Sequence, residues 1–191
     1  YIKMKKGLIA VVVIIIILVS VGFALAGADN GLVAAQESLQ KNSSDIDTQL
    51  QRRNDLIPNL VNTVKGYAAH EEEVFTAVSD ARARMAGAES IEEKSAANAE
   101  VESALSRLLG VAEAYPQPQA NQNFINLQDE LAGTENRIQV ARTRYNEEAQ
   151  SYNRKVRSFP TSILASMFGF ETATYFEAPE GAREVPTVDF S

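Results

Sequence analysis

A run of 22 apolar and uncharged residues near the start, residues 7–28, limits what this chain can fold into. Its centre is almost entirely leucine, isoleucine and valine. At a rise of about 1.5 Å per residue, a helix of this length crosses a hydrocarbon core of roughly 30 Å. Three lysines precede the run, at Lys3, Lys5 and Lys6, and Asp29 follows it. Because lysines near a span stay on the cytoplasmic side, we expect a cytoplasmic N-terminus over residues 1–6 and a single-pass transmembrane helix over 7–28.

A cleavable signal peptide is the alternative, since Ala24-Leu25-Ala26 is a small-x-small site behind a basic start. We favour the membrane anchor because the apolar run is longer than the usual signal-peptide core. A lipoprotein is excluded, because the chain has no cysteine to acylate.

The charge of the chain is unevenly placed. Three of its 18 lysines and arginines precede the apolar run, so 15 basic residues stand against 25 acidic residues from residue 29 onward, a net charge of −10. That balance excludes a basic nucleic-acid binder. The absence of cysteine also excludes disulfides, cysteine-ligated zinc, iron–sulfur clusters and thiol catalysis.

Residues 29–159 are dominated by good helix formers and predict a bundle of long helices. The first helix is expected over about 32–86, with a kink or a division into two helices near Pro58. Ser90-Ile91-Glu92-Glu93 reads as a capping box that begins a second helix over 91–114. Pro116-Gln117-Pro118 forms a turn, and a third helix is expected over 121–159.

The third helix has a strict seven-residue repeat of large apolar side chains. Its members are Phe124, Leu131, Ile138, Tyr145, Tyr152 and Phe159, with Leu127, Thr134 and Ala141 as companions three residues later. Such a repeat is typical of coiled-coil packing and needs long partner helices. The predicted fold is therefore all-α: one N-terminal transmembrane helix, an elongated antiparallel helical bundle, and an irregular aromatic tail over 160–191 that docks on a surface.

Little in the sequence points to catalysis. A carboxylate-bridged metal site in a bundle needs two Glu-x-x-His motifs, and the single histidine, His70, has Tyr67 three residues before it. The acidic run Glu71-Glu72-Glu73 fits a solvated helix face better than a cation site. No glycine-rich phosphate loop or spaced Ser-His-Asp set is present. We expect no enzymatic activity, no metal and no cofactor.

Rows of polar residues beside the apolar positions are more distinctive. They could be solvated surface with weak pairs within one helix, or they could pair between helices or subunits. We favour pairing for Arg52, Arg53, Glu135 and Arg142, because arginine is abundant there and lysine is scarce. The candidates for assembly or interaction are Arg52, Arg53, Asp55, Asn59, Glu135, Arg142, Tyr145, Asn146, Tyr152, Asn153, Phe168, Phe170 and Phe176.

These motifs together resemble the LemA family over essentially residues 31–190. The likeness rests on the segments 52–61, 64–67, 70–71, 113–116, 123–124, 127–128, 130–131, 134–138, 141–142, 144–146, 152–153, 159–160, 168–170 and 175–176. Pro118 departs from the family, which more often has leucine there. The resemblance implies an antiparallel, mainly helical protein of the bacterial inner membrane with no established enzymatic activity. One magnetosome-associated member suggests membrane organisation.

The favoured function is a membrane-anchored, non-enzymatic scaffold that self-assembles at the bacterial inner membrane, with its helical body on the periplasmic side. Its expected partners are further copies of itself, the lipid bilayer and an envelope protein. The alternative is an envelope sensor or adaptor that binds a heterologous protein. A hydrolytic or metal-dependent enzyme ranks third, because the chemistry of such a site is missing.

Overall fold

The computed structural model describes residues 2–115 and 121–177, and before residue 30 it gives the exposure of residues 11–16, 19 and 27 only. All regular secondary structure in this part of the chain is helical. The helices are α1 Ile2–Lys65, α2 Glu72–Gly87, α3 Ile91–Ala114, α4 Gln122–Arg157 and α5 Thr161–Phe168. The expected turn at 116–118 and the tail beyond 177 lie outside the described residues.

The first predicted helix, 32–86, is two helices in the structure, and the break lies at residues 66–71 instead of Pro58. Gly66 stands at the break, and glycine is among the weakest helix formers. Beyond it the N–H groups of Tyr67 and Ala68 both donate to the Val64 carbonyl, at 2.9 and 3.0 Å. This shared acceptor closes the end of α1, and the buried Ala68 side chain holds the turn against the core.

Helix α1 continues through Pro58 although proline has no N–H to donate. The carbonyl that loses its helical partner is that of Asn54, four residues earlier. Arg82 of α2 supplies a replacement, because its Nε donates to the Asn54 carbonyl oxygen at 3.2 Å. A side chain of the neighbouring helix thus satisfies the acceptor that the proline leaves open.

The predicted membrane segment lies within α1. Across the residues that the structure describes, no helix has a stretch both long and apolar enough to cross a membrane. The structure does not describe most of the side chains of residues 7–28, so the transmembrane helix stays a prediction. The described residues 11–16 and 19, all valine or isoleucine, are between 46% and 58% exposed.

The chain forms two compact units. The first contains Tyr1–Lys41 and Glu148–Ala173, and the second contains Asn42–Glu147 and Thr174–Ser191. In the first unit the two chain segments share one apolar core, to which the partly buried Leu39, Phe170 and Ala173 add. The buried members are Leu32, Ala35, Tyr152, Val156, Leu164 and Ala165.

The second unit packs the C-terminal part of α1 with α2, α3 and most of α4. Arg84 pairs with Glu100 and Arg107 with Glu73, so α2 and α3 are antiparallel. Six buried positions on α1 advance by alternating steps of four and three, the spacing of a packed helical seam. They are Ile46, Leu50, Arg53, Ile57, Leu60 and Val64, and Asn54 beside Arg53 is buried as well.

The predicted seam of α4 lies in the core, with one exception. Its buried members are Phe124, Leu127, Leu131, Thr134, Ile138, Ala141, Tyr145 and Tyr152. The placement of Phe159 in this seam was wrong, since its side chain is 82% exposed. Helix α4 ends at Arg157, so the seven-residue spacing no longer directs Phe159 toward the core.

The capping box at the start of α3 is present. The Ser90 hydroxyl accepts from the Glu93 N–H at 3.1 Å, and the Glu93 carboxylate accepts from the N–H groups of Glu89 and Ser90 at 2.9 and 3.1 Å. These backbone donors hold the pKa of Glu93 below its ordinary value. The cap begins α3 at Ile91, and α3 spans the expected range of 91–114.

Arg82 binds the Asn54 carbonyl that Pro58 leaves open, so the loss of stability on removing Arg82 should depend on whether Pro58 is present. Arg82→Ala should lower the free energy of unfolding by about 1 kcal/mol, since a hydrogen bond to an open carbonyl is lost. In a Pro58→Ala background the cost should fall below half of that, because an alanine N–H restores the helical donor. Urea unfolding followed by circular dichroism measures both. Arg84→Ala, which removes an exposed pair on the same helix, is the control; an equal cost of Arg82→Ala in both backgrounds would contradict the assignment.

Candidate functional site

Arg53 occupies a core position of α1 in the second unit, with only 2% of its side chain exposed. Its Nη1 donates to Glu135 Oε2 at 2.9 Å and its Nη2 donates to Asn98 Oδ1 at 2.6 Å. Burial lowers the pKa of Arg53, while the nearby carboxylates of Glu135 and Glu102 oppose that shift. Because a buried charge is costly unless it is paired and hydrogen-bonded, these two bonds make the position tenable.

The network continues from Asn98 to Glu102 and Arg142. The Asn98 amide Nδ2 donates to Glu102 Oε1 at 2.6 Å, and that oxygen lies 3.9 Å from Arg142 Nη1. Burial raises the pKa of Glu102 and the Glu135 charge adds to the shift, whereas Asn98 and the two arginines oppose it. Two arginines and two glutamates therefore balance in charge, and Asn98 links them.

Asn98 and Glu102 were absent from the sequence-based candidates. Asn98 is 1% exposed and continues the buried series of α3, whose other members are Val101, Leu105, Leu108 and Ala112. Steps of three and four from Val101 lead back to Asn98, so the one polar residue in an apolar series was the available signal. Glu102 lies four residues after Asn98, within reach on the same helix face.

Arg142 joins this network to the C-terminal segment. Its guanidinium lies 4.9 Å from the centre of the Phe176 ring, and its Nη2 donates to the Glu177 carbonyl at 2.8 Å. Phe176 is 2% exposed. The Ser95 hydroxyl of α3 donates to the Glu177 carbonyl at 3.2 Å and accepts from the Glu177 N–H at 3.1 Å. Helices α3 and α4 therefore both bind this residue of the tail.

Two asparagines of α4 bind the extended tail backbone in the same way. In the second unit the Asn146 amide donates to the Phe176 carbonyl at 2.9 Å and accepts from the Phe176 N–H at 2.8 Å. In the first unit Asn153 does the same for Ala173, at 2.8 and 2.7 Å. An amide side chain offers one donor group and one acceptor, the same pair of groups that the backbone of a neighbouring β-strand would offer. It satisfies the backbone of a segment that has no strand partner here.

The tyrosines before these asparagines are buried beside them. The Tyr145 hydroxyl donates to the Thr174 carbonyl at 2.9 Å. Burial raises the pKa of Tyr145, with a further contribution from Glu92, so the phenol stays a neutral donor. Tyr152 lies in the core of the first unit, and burial raises its pKa as well. The repeated Tyr-Asn pair therefore serves packing through its ring and tail docking through its amide.

The other candidates lie outside this network. Arg52 pairs with Glu130 at 3.0 Å with about half of each side chain exposed. Asp55 is exposed and accepts from Gln51 of its own helix at 2.7 Å, and Asn59 is exposed. Phe170 packs against the core of the first unit, whereas Phe168 is 61% exposed on the outer side of α5.

The arginines, glutamates and asparagines of the network, which are buried or half-buried, form hydrogen bonds to one another and to the tail backbone. Within residues 2–115 and 121–177, no group of three or more His, Asp or Glu side chains is placed to hold a metal ion. His70 is exposed in the connection between α1 and α2.

An all-helical body with a buried arginine network and a C-terminal segment bound by asparagines defines the structural class of the described part of the chain. The profile of the LemA family matches residues 42–190, so the chain belongs to the LemA family. The matched range contains the whole Arg53 network and both Tyr-Asn pairs.

Several named proteins are similar in sequence to this chain. Magnetosome protein MamQ 2 of Paramagnetospirillum magneticum is 28% identical over 214 aligned positions, covering 97% of this chain and 79% of that protein. Magnetosome protein MamQ of Magnetospirillum gryphiswaldense is 27% identical with the same coverage. Protein LemA of Metamycoplasma hominis is 24% identical over 165 positions, 84% of this chain and 74% of that protein.

Removing the Arg53 guanidinium should be strongly destabilising. Arg53→Ala leaves Glu135 and Asn98 without their partner and is expected to cost about 3–5 kcal/mol of unfolding free energy. Arg53→Lys keeps the charge but not the planar fork, so its cost should be intermediate. Arg52→Ala, the neighbouring exposed arginine, should cost less than about 1 kcal/mol. Chemical unfolding of the full chain in detergent measures all three, and equal costs at Arg52 and Arg53 would refute the network.

The raised pKa of Glu102 predicts that the stability of the fold depends on pH. The folded protein binds a proton at Glu102 more tightly than the unfolded chain, so this carboxyl favours folding most at low pH. Its contribution is lost as the pH rises from the ordinary value of 4.5 through the folded pKa. Glu102→Gln keeps an acceptor for Asn98, so its stability relative to the natural protein should increase over that interval and then level off. Unfolding curves at several pH values test this, with Glu100→Gln as the control for loss of one negative charge on α3; parallel curves for natural protein and Glu102→Gln would refute it.

Proposed function

We propose that this protein is a membrane-anchored, non-enzymatic scaffold that self-assembles at the bacterial inner membrane and organises membrane or envelope partners. The N-terminus is cytoplasmic and the helical body lies on the opposite, periplasmic side. Residues 7–28 of α1 form the single span.

The exposed side chains of residues 11–16 carry this proposal. Six consecutive helical residues go around the helix more than once, and each of these six valines and isoleucines is about half exposed. The helix is therefore apolar on every side over these six residues, and each of their side chains is exposed. A helix that is hydrophobic all round belongs in a protein core or in a bilayer, and the three lysines before it support the bilayer.

The hydrogen bonds of the polar network support the scaffold role. They join helices α1, α3 and α4 to one another and to the tail, through Arg53, Asn98, Glu102, Glu135 and Arg142. The names of the relatives, magnetosome protein and LemA, describe a cellular structure and a family and state no reaction. Anchoring by a span also brings copies into one plane, which favours self-association.

The charge of the second unit supports the alternative, an envelope sensor or adaptor that binds a heterologous protein. Residues 42–147 and 174–191 carry 11 basic and 21 acidic residues, a net charge of −10. Such a surface attracts a basic partner and opposes contact between identical copies. The adaptor predicts a monomer or dimer that captures a basic envelope protein, whereas the scaffold predicts a larger homo-oligomer.

The anchor is tested by membrane extraction of the full chain. The natural protein is expected to stay in the membrane pellet after a carbonate wash. The double substitution Ile14→Asp, Ile16→Asp should move it to the supernatant, because each charge at the centre of a span costs about 2.5–3.5 kcal/mol. Val140→Asp, at an equally exposed valine of α4, is the control and should stay in the pellet. Release of the natural protein by carbonate would contradict the anchor.

Self-assembly has a separate test. Mass photometry of the detergent-extracted natural protein should give particles of several subunits. A strict monomer, together with no crosslinked species in cells, would contradict the scaffold and leave the anchor standing.

A further inference from the structure

Helix α5, Thr161–Phe168, is apolar on both of its sides. Leu164 and Ala165 are buried in the core of the first unit, at 6% and 2% exposure. The opposite side exposes Ile163 by 51% and Met167 by 71%, four residues apart and so on one face. Phe168 is also exposed, and Phe159 just before the helix is the most exposed of the large apolar side chains described.

The place where α5 packs is close to the predicted span. Its buried side chains contact the cluster that contains Leu32 and Ala35 of α1. Leu32 follows the last residue of the uncharged run, Ala28, by four positions, which is about 6 Å along a helix. If residues 7–28 cross a bilayer, the core that holds α5 lies where α1 leaves the hydrocarbon region.

Three basic side chains precede the exposed apolar group. Arg154, Lys155 and Arg157 are exposed in the last turn of α4, and residues 149–170 contain no acidic residue. Arg157 donates through Nε to the Asn153 carbonyl at 3.3 Å. Among the described side chains, none of the three forms an ion pair with a carboxylate.

The charge of the first unit differs from that of the second. Residues 29–41 and 148–173 contain four basic and four acidic residues, so they are neutral, whereas the second unit carries −10. An anionic surface would repel the second unit but meets no net repulsion from the first. Basic residues beside exposed aromatic and aliphatic side chains are the composition of segments that lie in a membrane interface.

We propose that α5 is a second membrane contact of this protein, lying in the interface of the bilayer that α1 crosses. Phe159, Ile163, Met167 and Phe168 insert among the lipid headgroups and the first part of the acyl chains, and Arg154, Lys155 and Arg157 bind anionic phospholipid headgroups. The inference rests on the proposed anchoring of α1, because that anchoring brings α5 to the bilayer. The partner is an anionic phospholipid surface.

The absence of cysteine from the chain allows a direct test with single labels. Met167→Cys, Gln150→Cys and Val13→Cys are each made in the full chain, labelled with an environment-sensitive fluorophore and reconstituted into vesicles of equal parts phosphatidylcholine and phosphatidylglycerol. Met167 reports α5, and Val13 reports the span. Gln150 is the matched control, exposed on α4 within the first unit.

The label at Met167 is expected to be quenched by a nitroxide near the lipid headgroups and protected from iodide in the water. The label at Gln150 should show the reverse, and the label at Val13 should be quenched by a nitroxide deep in the acyl chains. If Val13 is in lipid and Met167 is fully accessible to iodide, the inference fails and the anchor stands. If both are in water, the anchor and the inference both fail. Protection of Met167 from both quenchers shows that protein covers α5, as in a second copy of this chain, and overturns the lipid contact.

The basic residues are tested in the same vesicles. Neutralising Arg154, Lys155 and Arg157 to glutamine, singly and together, should lower the ratio of lipid-contacting to water-exposed Met167 label by about fivefold for each charge removed. Lys41→Gln, an exposed lysine of the first unit, should leave the ratio unchanged. Helix content by circular dichroism confirms that each variant is folded. An unchanged ratio in the folded triple variant, or an equal ratio in phosphatidylcholine alone, overturns the headgroup assignment.

Discussion

The second unit depends on the hydrogen bonds that the buried Arg53 guanidinium donates to Glu135 and Asn98. A charged side chain in a helical core is tolerated only where its partners are in place, and here they come from α3 and α4. A slip of α3 or α4 by about one turn would bring an apolar side chain to Arg53, Val101 in place of Asn98 or Ile138 in place of Glu135. The network therefore selects one register of three helices, as a buried polar residue does in a coiled coil, at a cost in desolvation. Glu102, whose pKa is raised, carries part of that cost.

The same network extends to the tail through Arg142. An extended segment leaves backbone N–H and carbonyl groups open, and burying it requires a partner for each. Asn146 and Asn153 supply those partners with their side-chain amides, which is why an asparagine recurs after seven residues on a helix surface. The described tail is thus a part of the folded structure, bound by α3 and α4, although it has no regular secondary structure of its own.

Much of the helix prediction rested on the regular spacing of apolar residues, and the positions where it failed have local causes. Seven-residue spacing places α4 side chains from Phe124 to Tyr152 in the core, but it gives no warning that the helix ends before Phe159. Pro58 suggested a break because proline lacks a donor, yet Arg82 from another helix satisfies the open carbonyl. Helix propensity acts within one segment, whereas the contact that overrides it comes from elsewhere in the chain.

The sequence by itself determined the all-helical class, the apolar run, the separation of charge along the chain and the repeating Tyr-Asn pairs. These properties are local, since they depend on composition and on spacing within one helix. Only the tertiary structure decided that Arg53 is buried while Arg52 is exposed, that Asn98 and Glu102 complete the network, and that the amides of α4 bind the tail. The reason is that a side chain's energy in a core depends on which atoms of distant residues meet it, and spacing along one helix does not specify them.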